Sequence, residues 1–156
     1  MGNIVMAEFA PDVSYLEHYI TTSAGDKRRD HTIVTSKALN IPFTFDEINQ
    51  DNLEKYFMGQ EVTDASCVNA ASPLIKVFEN VLDYGSAQLY FRTDIGQDMV
   101  YMIPKCTIRP DGNMAMNIED WWTGPLMLEV FYYNWTVTTC ASCTAYYGLL
   151  SVSDIS

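Results

Sequence analysis

Basic residues are scarce in this chain. Nine Lys and Arg stand against twenty Asp and Glu in 156 residues, a formal net charge of −11. Phosphate binding is driven mainly by Lys and Arg displacing counterions, so a chain this acidic is not built to grip nucleic acid. Long apolar runs are also missing. None approaches the roughly 18–20 residues that a spanning helix needs, which predicts no membrane partner. The opening MGNIVMAEFAPD has neither a basic n-region nor a long apolar stretch and does not read as a signal peptide. Met6 occupies the place where a myristoylation signal wants Ser or Thr. With no export signal expected, Asn134-Trp135-Thr136 matches the glycosylation pattern by chance.

Metal-ligating and catalytic constellations are equally thin. Of the four cysteines, Cys67 and Cys106 are isolated and only Cys140-Ala-Ser-Cys143 has ligand spacing. A structural zinc site draws on two such pairs or on a pair of histidines, and His18 and His31 lie far away, so no metal is expected. A redox CxxC opens a helix after a strand, which Thr138-Thr139 before it and Thr144-Ala-Tyr-Tyr147 after it do not suggest. No glycine-rich phosphate loop and no GxSxG elbow occur. The carboxylate pairs Asp46-Glu47 and Glu119-Asp120 are adjacent in sequence, and adjacent side chains on a strand point to opposite faces, so neither is a shared-proton dyad. Asp94-Ile-Gly-Gln-Asp98 has Gly96 where a calcium loop wants a carboxylate or amide, and reads as a hairpin turn. The expectation is a protein with no catalytic residues and no cofactor.

What is present is aromatic and β-forming. Ten Tyr, seven Phe and three Trp make 13% of the chain. Such side chains fit pleated, half-buried surfaces and large interfaces. The length suits one domain over 1–156, able to bury a core without staples. Val13–Ile20 reads as a strand, and the polar, Gly-containing Thr21–Asp30 as a long loop. From His31 to Asp46 the chain alternates, with Ile33, Lys37, Leu39, Ile41, Phe43 and Phe45 on one parity and Ser36, Asn40, Thr44 and Asp46 on the polar one. Pro42 cannot donate to a ladder and marks an edge or bulge. Asp51-Asn-Leu-Glu54 has capping-box spacing, Leu53, Tyr56 and Phe57 form a stripe, and Gly59 suits a left-handed stop, which together predict one short helix. Strands are then expected over Leu74–Val81, Ser86–Thr93, Met99–Ile108, Asn113–Ile118 and Pro125–Tyr133, at the spacing of a sandwich or barrel. Pro110-Asp111-Gly112 is the clearest turn. Residues 136–156 read as a further strand or a C-terminal arm.

Two stretches together resemble a known family. The first runs from Tyr15-Leu-Glu-His-Tyr19 through the loop with Gly25 and Asp30 to Ile41-Pro-Phe-Thr-Phe-Asp-Glu-Ile-Asn49 and Asn52-Leu53. The second holds Gly85-Ser-Ala-Gln-Leu-Tyr-Phe91, Tyr101-Met-Ile-Pro104, Ile108-Arg-Pro-Asp-Gly112 and Ile118-Glu-Asp-Trp121. In that order they resemble the tail tube (major tail) proteins of long-tailed bacteriophages, over residues 13–134. The resemblance implies a mainly β fold, two packed antiparallel sheets flanked by one short α-helix, with a long loop between early strands. It further implies self-assembly into stacked hexameric rings, contact with other tail proteins and transient, non-specific passage of DNA. The protein would be made in the host cytoplasm and reside in the virion tail.

Several residues then become candidates. Lys27, Arg28 and Arg29 form the one basic cluster and would reach acidic groups on the next ring. Glu17 and Asp46 would face the bore and repel phosphate. Phe131 and Tyr133 lie on the opposite parity to Leu126, Leu128, Val130 and Tyr132, so they would face a neighbouring subunit. The competing readings are a related tail or tube component (tail completion, baseplate or secretion tube) and a monomeric ligand-binding sandwich using Trp121 and Trp122 as a stacking platform.

Overall fold

Strands dominate the computed structural model, which describes residues 4–62, 74–92, 97–116, 122–136 and 144–154 and is 64% strand. In chain order they are β1 (Ile4–Ala7), β2 (Ala10–Thr21), β3 (Lys27–Phe45), helix α1 (Gln50–Tyr56), β4 (Gln60–Glu61), β5 (Ile75–Lys76), β6 (Tyr84–Phe91), β7 (Gln97–Pro110), β8 (Gly124–Val130), β9 (Trp135–Thr136), β10 (Thr144–Ala145) and β11 (Leu149–Asp154). The fold class is as expected, mainly β and sandwich- or barrel-like with one short helix. Its principal layer is a single seven-stranded antiparallel sheet, curled into a half-barrel, and β4–β5 and β9–β10 make two smaller sheets.

The core follows from alternation along β3 and β8. Leu39–Phe45 pairs antiparallel with Gly124–Val130, Ile41 opposite Leu128 and Phe43 opposite Leu126. Directly opposed residues share a face, so Ile41, Phe43 and Phe45 meet Leu126, Leu128 and Val130 as one buried layer. Gly124 lies opposite Phe45, and a Cβ there would collide with the Phe45 ring. On its other edge β8 takes Cys106–Pro110 of β7, whose Tyr101, Ile103 and Cys106 complete the core. The far edge of β7 carries β6.

Pro42 sits inside this ladder, paired with Met127. In an antiparallel strand a residue's N–H and C=O face the same edge. The Pro42 C=O accepts from the Glu8 N–H at 3.0 Å, in the junction between β1 and β2. The missing donor therefore points to the one place where that edge is interrupted.

The helix is where it was expected but is capped differently. Asn49, two residues before Asp51, is the N-cap, and its side chain accepts from the Asn52 N–H at 2.9 Å. Asp51 sits in the first turn, favourable for the helix dipole. At the other end Met58, not Gly59, takes the positive φ of 46°, and the Gly59 N–H reaches back to the Glu54 C=O at 2.7 Å. Gly59 serves packing instead, because a Cβ there would run into the Ile75 side chain. The Tyr56 hydroxyl donates to the Gly112 C=O and accepts from the Met114 N–H, both at 2.7 Å, which ties the helix to the turn after β7. That turn holds Gly112 at φ +118°, as the Pro-Asp-Gly signal predicts.

Three expected strands shrink, Pro125–Tyr133 among them, which ends at Val130. Leu74–Val81 gives only Ile75–Lys76, because Phe78 adopts φ +58° and its N–H bonds the Phe57 C=O, wrapping the chain around the helix end. Of Asn113–Ile118 the described part holds a single bridge, Ala115 with Thr123. The described part of 136–156 returns to the body: Leu149–Asp154 pairs with Gln97–Met102 of β7. The Asp94–Gly96 turn, Cys67, Glu119, Asp120, Trp121, Cys140 and Cys143 lie outside the described residues.

Beyond Leu39, toward the start of β3, the sheet ends but the strand continues. Its residues 27–38 pair with β2 alone, making a two-stranded arm. Body and arm should respond unequally to truncation. Leu126→Ala, at 0% exposure, should cost about 2–5 kcal/mol in chemical denaturation. Leu16→Ala, on the arm, should change the same midpoint by no more than about 0.5 kcal/mol.

Candidate interaction surface

β2 and β3 make twelve cross-strand pairs, from Ala10 with Asn40 to Thr21 with Lys27, and the ten from Asp12 with Ala38 outward form the arm. Residues 22–26 close it, with Gly25 at φ +87° and the Thr22 N–H bonded to the Asp26 C=O at 2.8 Å. The stretch read as a long loop over Thr21–Asp30 is therefore a tight turn flanked by paired strand. Composition misled here: Lys27, Arg28, Arg29 and Asp30 are polar because both faces of the ribbon are open to solvent, not because the backbone lacks a partner.

Two bulges decide which side chains share a face. The register shifts between Ser14 and Tyr15 and again between His18 and Tyr19, leaving Thr35 and Asp30 of β3 as extra residues. Each extra residue reverses the parity of β3 beyond it. Leu39 packs on the core, and its face runs outward through Val13 with Lys37, Tyr15 with Val34, Glu17 with Thr32 and Tyr19 with Arg29. The opposite face carries Ser14 with Ser36, Leu16 with Ile33, His18 with His31 and Ile20 with Arg28. Ile33 and Leu39, on one parity in the sequence, therefore lie on opposite faces.

Both faces are apolar in part and uncovered. Tyr15, Leu16, Tyr19, Ile20, Ile33 and Val34 are each between 43% and 61% exposed. A two-stranded ribbon is marginally stable by itself in water. Polar links steady it. Glu17 accepts hydrogen bonds from both the Tyr19 hydroxyl and the Arg29 guanidinium, and His18 Nδ1 lies 2.6 Å from Asp30 Oδ1. The Tyr19 hydrogen bond and then the Arg29 one hold the Glu17 carboxyl below its usual range, while the same contacts raise Tyr19 and Arg29.

These placements separate the candidates. Arg29 is engaged by Glu17 within the same chain. Lys27 and Arg29 lie on the core-side face and Arg28 on the other, so the three cations do not form one patch. Glu17 and Asp46 are not brought together: Glu17 pairs with Thr32, and Asp46 follows the end of β3, roughly 45 Å away along the strand. Phe131 is half-buried, edge-on to Tyr84 at 5.3 Å, and its N–H bonds the Lys105 C=O. Tyr133 is exposed, beside Tyr132 stacked on Tyr146 at 5.2 Å and 9°. Parity extended through 133 fails because β8 stops at Val130. Trp122 is 44% exposed.

Sequence reading missed the arm's apolar residues as a unit. The available signal was symmetry: two β-forming runs of similar length around Gly25. Among the described residues no three His, Cys, Asp or Glu side chains are grouped to hold a metal, and no helix is long and apolar enough to cross a membrane. A cavity of about 590 Å³ lies between α1, β1, β6 and the core face of the sheet. Its lining includes Cys106, whose thiol pKa is raised by burial and which donates weakly to the Gly85 C=O at 3.5 Å.

The Glu17 contacts set a pH dependence. A carboxyl whose folded pKa is depressed contributes stability above its unfolded pKa and loses it as pH falls through the folded value. In an NMR titration Glu17 should therefore titrate below an unstructured glutamate, Tyr19→Phe should raise its midpoint, and the arm amides should lose protection in acid before the body does.

No protein-family model matches the chain, and no curated protein matches it.

Proposed function

We propose that the chain is a structural virion protein, a tail tube (major tail) protein, whose copies associate into stacked hexameric rings that form a conduit for DNA ejection. One observation carries the reading: the arm of β2 and residues 27–38 of β3 exposes apolar side chains on both faces. Ten pairs, from Asp12 with Ala38 to Thr21 with Lys27, extend about 33 Å, and two strands are about 10 Å wide, so each face offers roughly 330 Å². Covering both gives roughly 650 Å², within the range that one partner contributes to a standard stable interface. A surface of this kind is expected on a chain whose stable state is an assembly.

Charge supports the same reading. Residues 10–40 carry four Lys/Arg and four Asp/Glu, so five Lys/Arg and sixteen Asp/Glu on the remainder account for the whole −11. An acidic wall repels phosphate rather than retaining it, which suits a conduit. No step of chemistry is assigned. The sequence resemblance over 13–134 supplies the tail-tube identity, and the arm supplies the physical need for neighbours.

Negative-stain microscopy of the concentrated protein tests the reading. Continuous hollow tubes are expected. Isolated rings would point instead to a related tail component, and a monodisperse monomer at every concentration would replace the reading with a ligand-binding module. Leu16→Asp with Ile33→Asp should abolish tubes while leaving the melting of the body unchanged, since neither residue touches the core layer.

A further inference from the structure

A pocket of about 590 Å³, open to solvent on one side, lies beneath α1, and core residues Ile41, Phe43 and Leu128 form part of its wall, so apolar surface stands uncovered there. Exposed Asp83 and half-buried Glu54 also line it, and Lys55 is the one cation among its described lining residues. Its volume falls within the roughly 300–1,000 Å³ of built pockets, suited to a few side chains rather than a whole surface.

The tip of the arm has the complementary chemistry. Ile20 and Arg28 are cross-strand partners on one face, Ile20 47% exposed, with no core contact of their own. Their own cavity is beyond their reach. Ile41 and Phe43 lie on the same strand as Arg28, roughly 40 Å further along, and a paired strand does not fold back on itself. Charge also selects the contact. Two bodies that carry the whole −11 repel, whereas the arm is neutral and ends in cations.

We propose that the arm tip of one copy docks in this cavity on a second copy, Ile20 against the apolar wall and Arg28 beside Asp83 and Glu54. The proposal rests on the self-assembly reading above and names its receptor. An arm-into-body contact is heterologous: each copy offers one arm and one cavity, so association continues from copy to copy and closes as a ring or runs on as a filament.

Two variants test it by sedimentation velocity, with circular dichroism to verify folding. Ala87→Trp fills the cavity from β6, and Ile20→Asp with Arg28→Glu disables the tip. Each alone should weaken association at least about tenfold. Mixed in equal amounts they should form a dimer and nothing larger, because one intact arm meets one intact cavity. Should Ala87→Trp misfold, Asp83→Lys blocks the cavity electrostatically, and adding Arg28→Glu to that chain should restore association. Wild-type tubes together with unimpaired assembly of Ala87→Trp, a monomeric mixture, or failure of the charge swap would each overturn the docking while leaving self-assembly standing. A wild-type chain that stays monomeric would remove both.

Discussion

The ladder between Leu39–Phe45 and Gly124–Val130 is the interaction on which the rest depends. It opposes large to small or large to large in a way that closes the layer: Phe45 against Gly124, Phe43 against Leu126, Ile41 against Leu128. Each such aliphatic or aromatic side chain, fully buried, contributes roughly 1.5–3 kcal/mol. The helix is too short to stand alone; the Tyr56 hydroxyl ties it to the turn after β7, and the buried Asn52 amide donates to the Glu47 C=O at 2.8 Å in the connection from β3. Tyr101 likewise ties the C-terminal return to the core by donating to the Tyr147 C=O at 2.6 Å.

β3 does two jobs because it is longer than its partners. Its C-terminal part lies between β8 and β1, while residues 27–38 have only β2 beside them. One continuous strand thus joins the most protected part of the molecule to one of the least protected. Local stability should fall steeply along it, since protection follows buried apolar contacts and covered backbone hydrogen bonds. A rigid base with a marginal, amphipathic extension is a means of presenting a surface at a fixed direction while leaving its final order to a partner.

Electrostatics divides along the same line. The arm is neutral because Asp12, Glu17, Asp26 and Asp30 are balanced by Lys27, Arg28, Arg29 and Lys37, with Glu17 paired directly to Arg29. Exposed pairs of this kind add little to global stability. With Arg29 engaged by Glu17, Lys27 and Arg28 are the remaining cations near the tip.

The sequence by itself determined the fold class, the helix near residue 50, the Pro-Asp-Gly turn and the acidic balance, because these rest on local chemistry: alternation, capping residues, fixed φ and counted charge. It also located the buried parity of β3 from Leu39 to Phe45, where the ladder is uninterrupted. It could not place the N-cap, because Asn49 and Asp51 are both competent caps and the buried Asn52 amide bonding Glu47 selects between them. Nor could it assign faces on the arm. A period of two holds only while each residue has one partner, and the extra Thr35 and Asp30 reverse the count. Whether Thr21–Asp30 was loop or strand depended on β2 lying beside β3 over twelve pairs, a pairing between distant residues that no local composition records. Only the tertiary structure decided that Glu17 and Asp46 lie far apart, that Arg29 is already engaged, and that Tyr15, Leu16, Tyr19, Ile20, Ile33 and Val34 are exposed on the two faces of one ribbon.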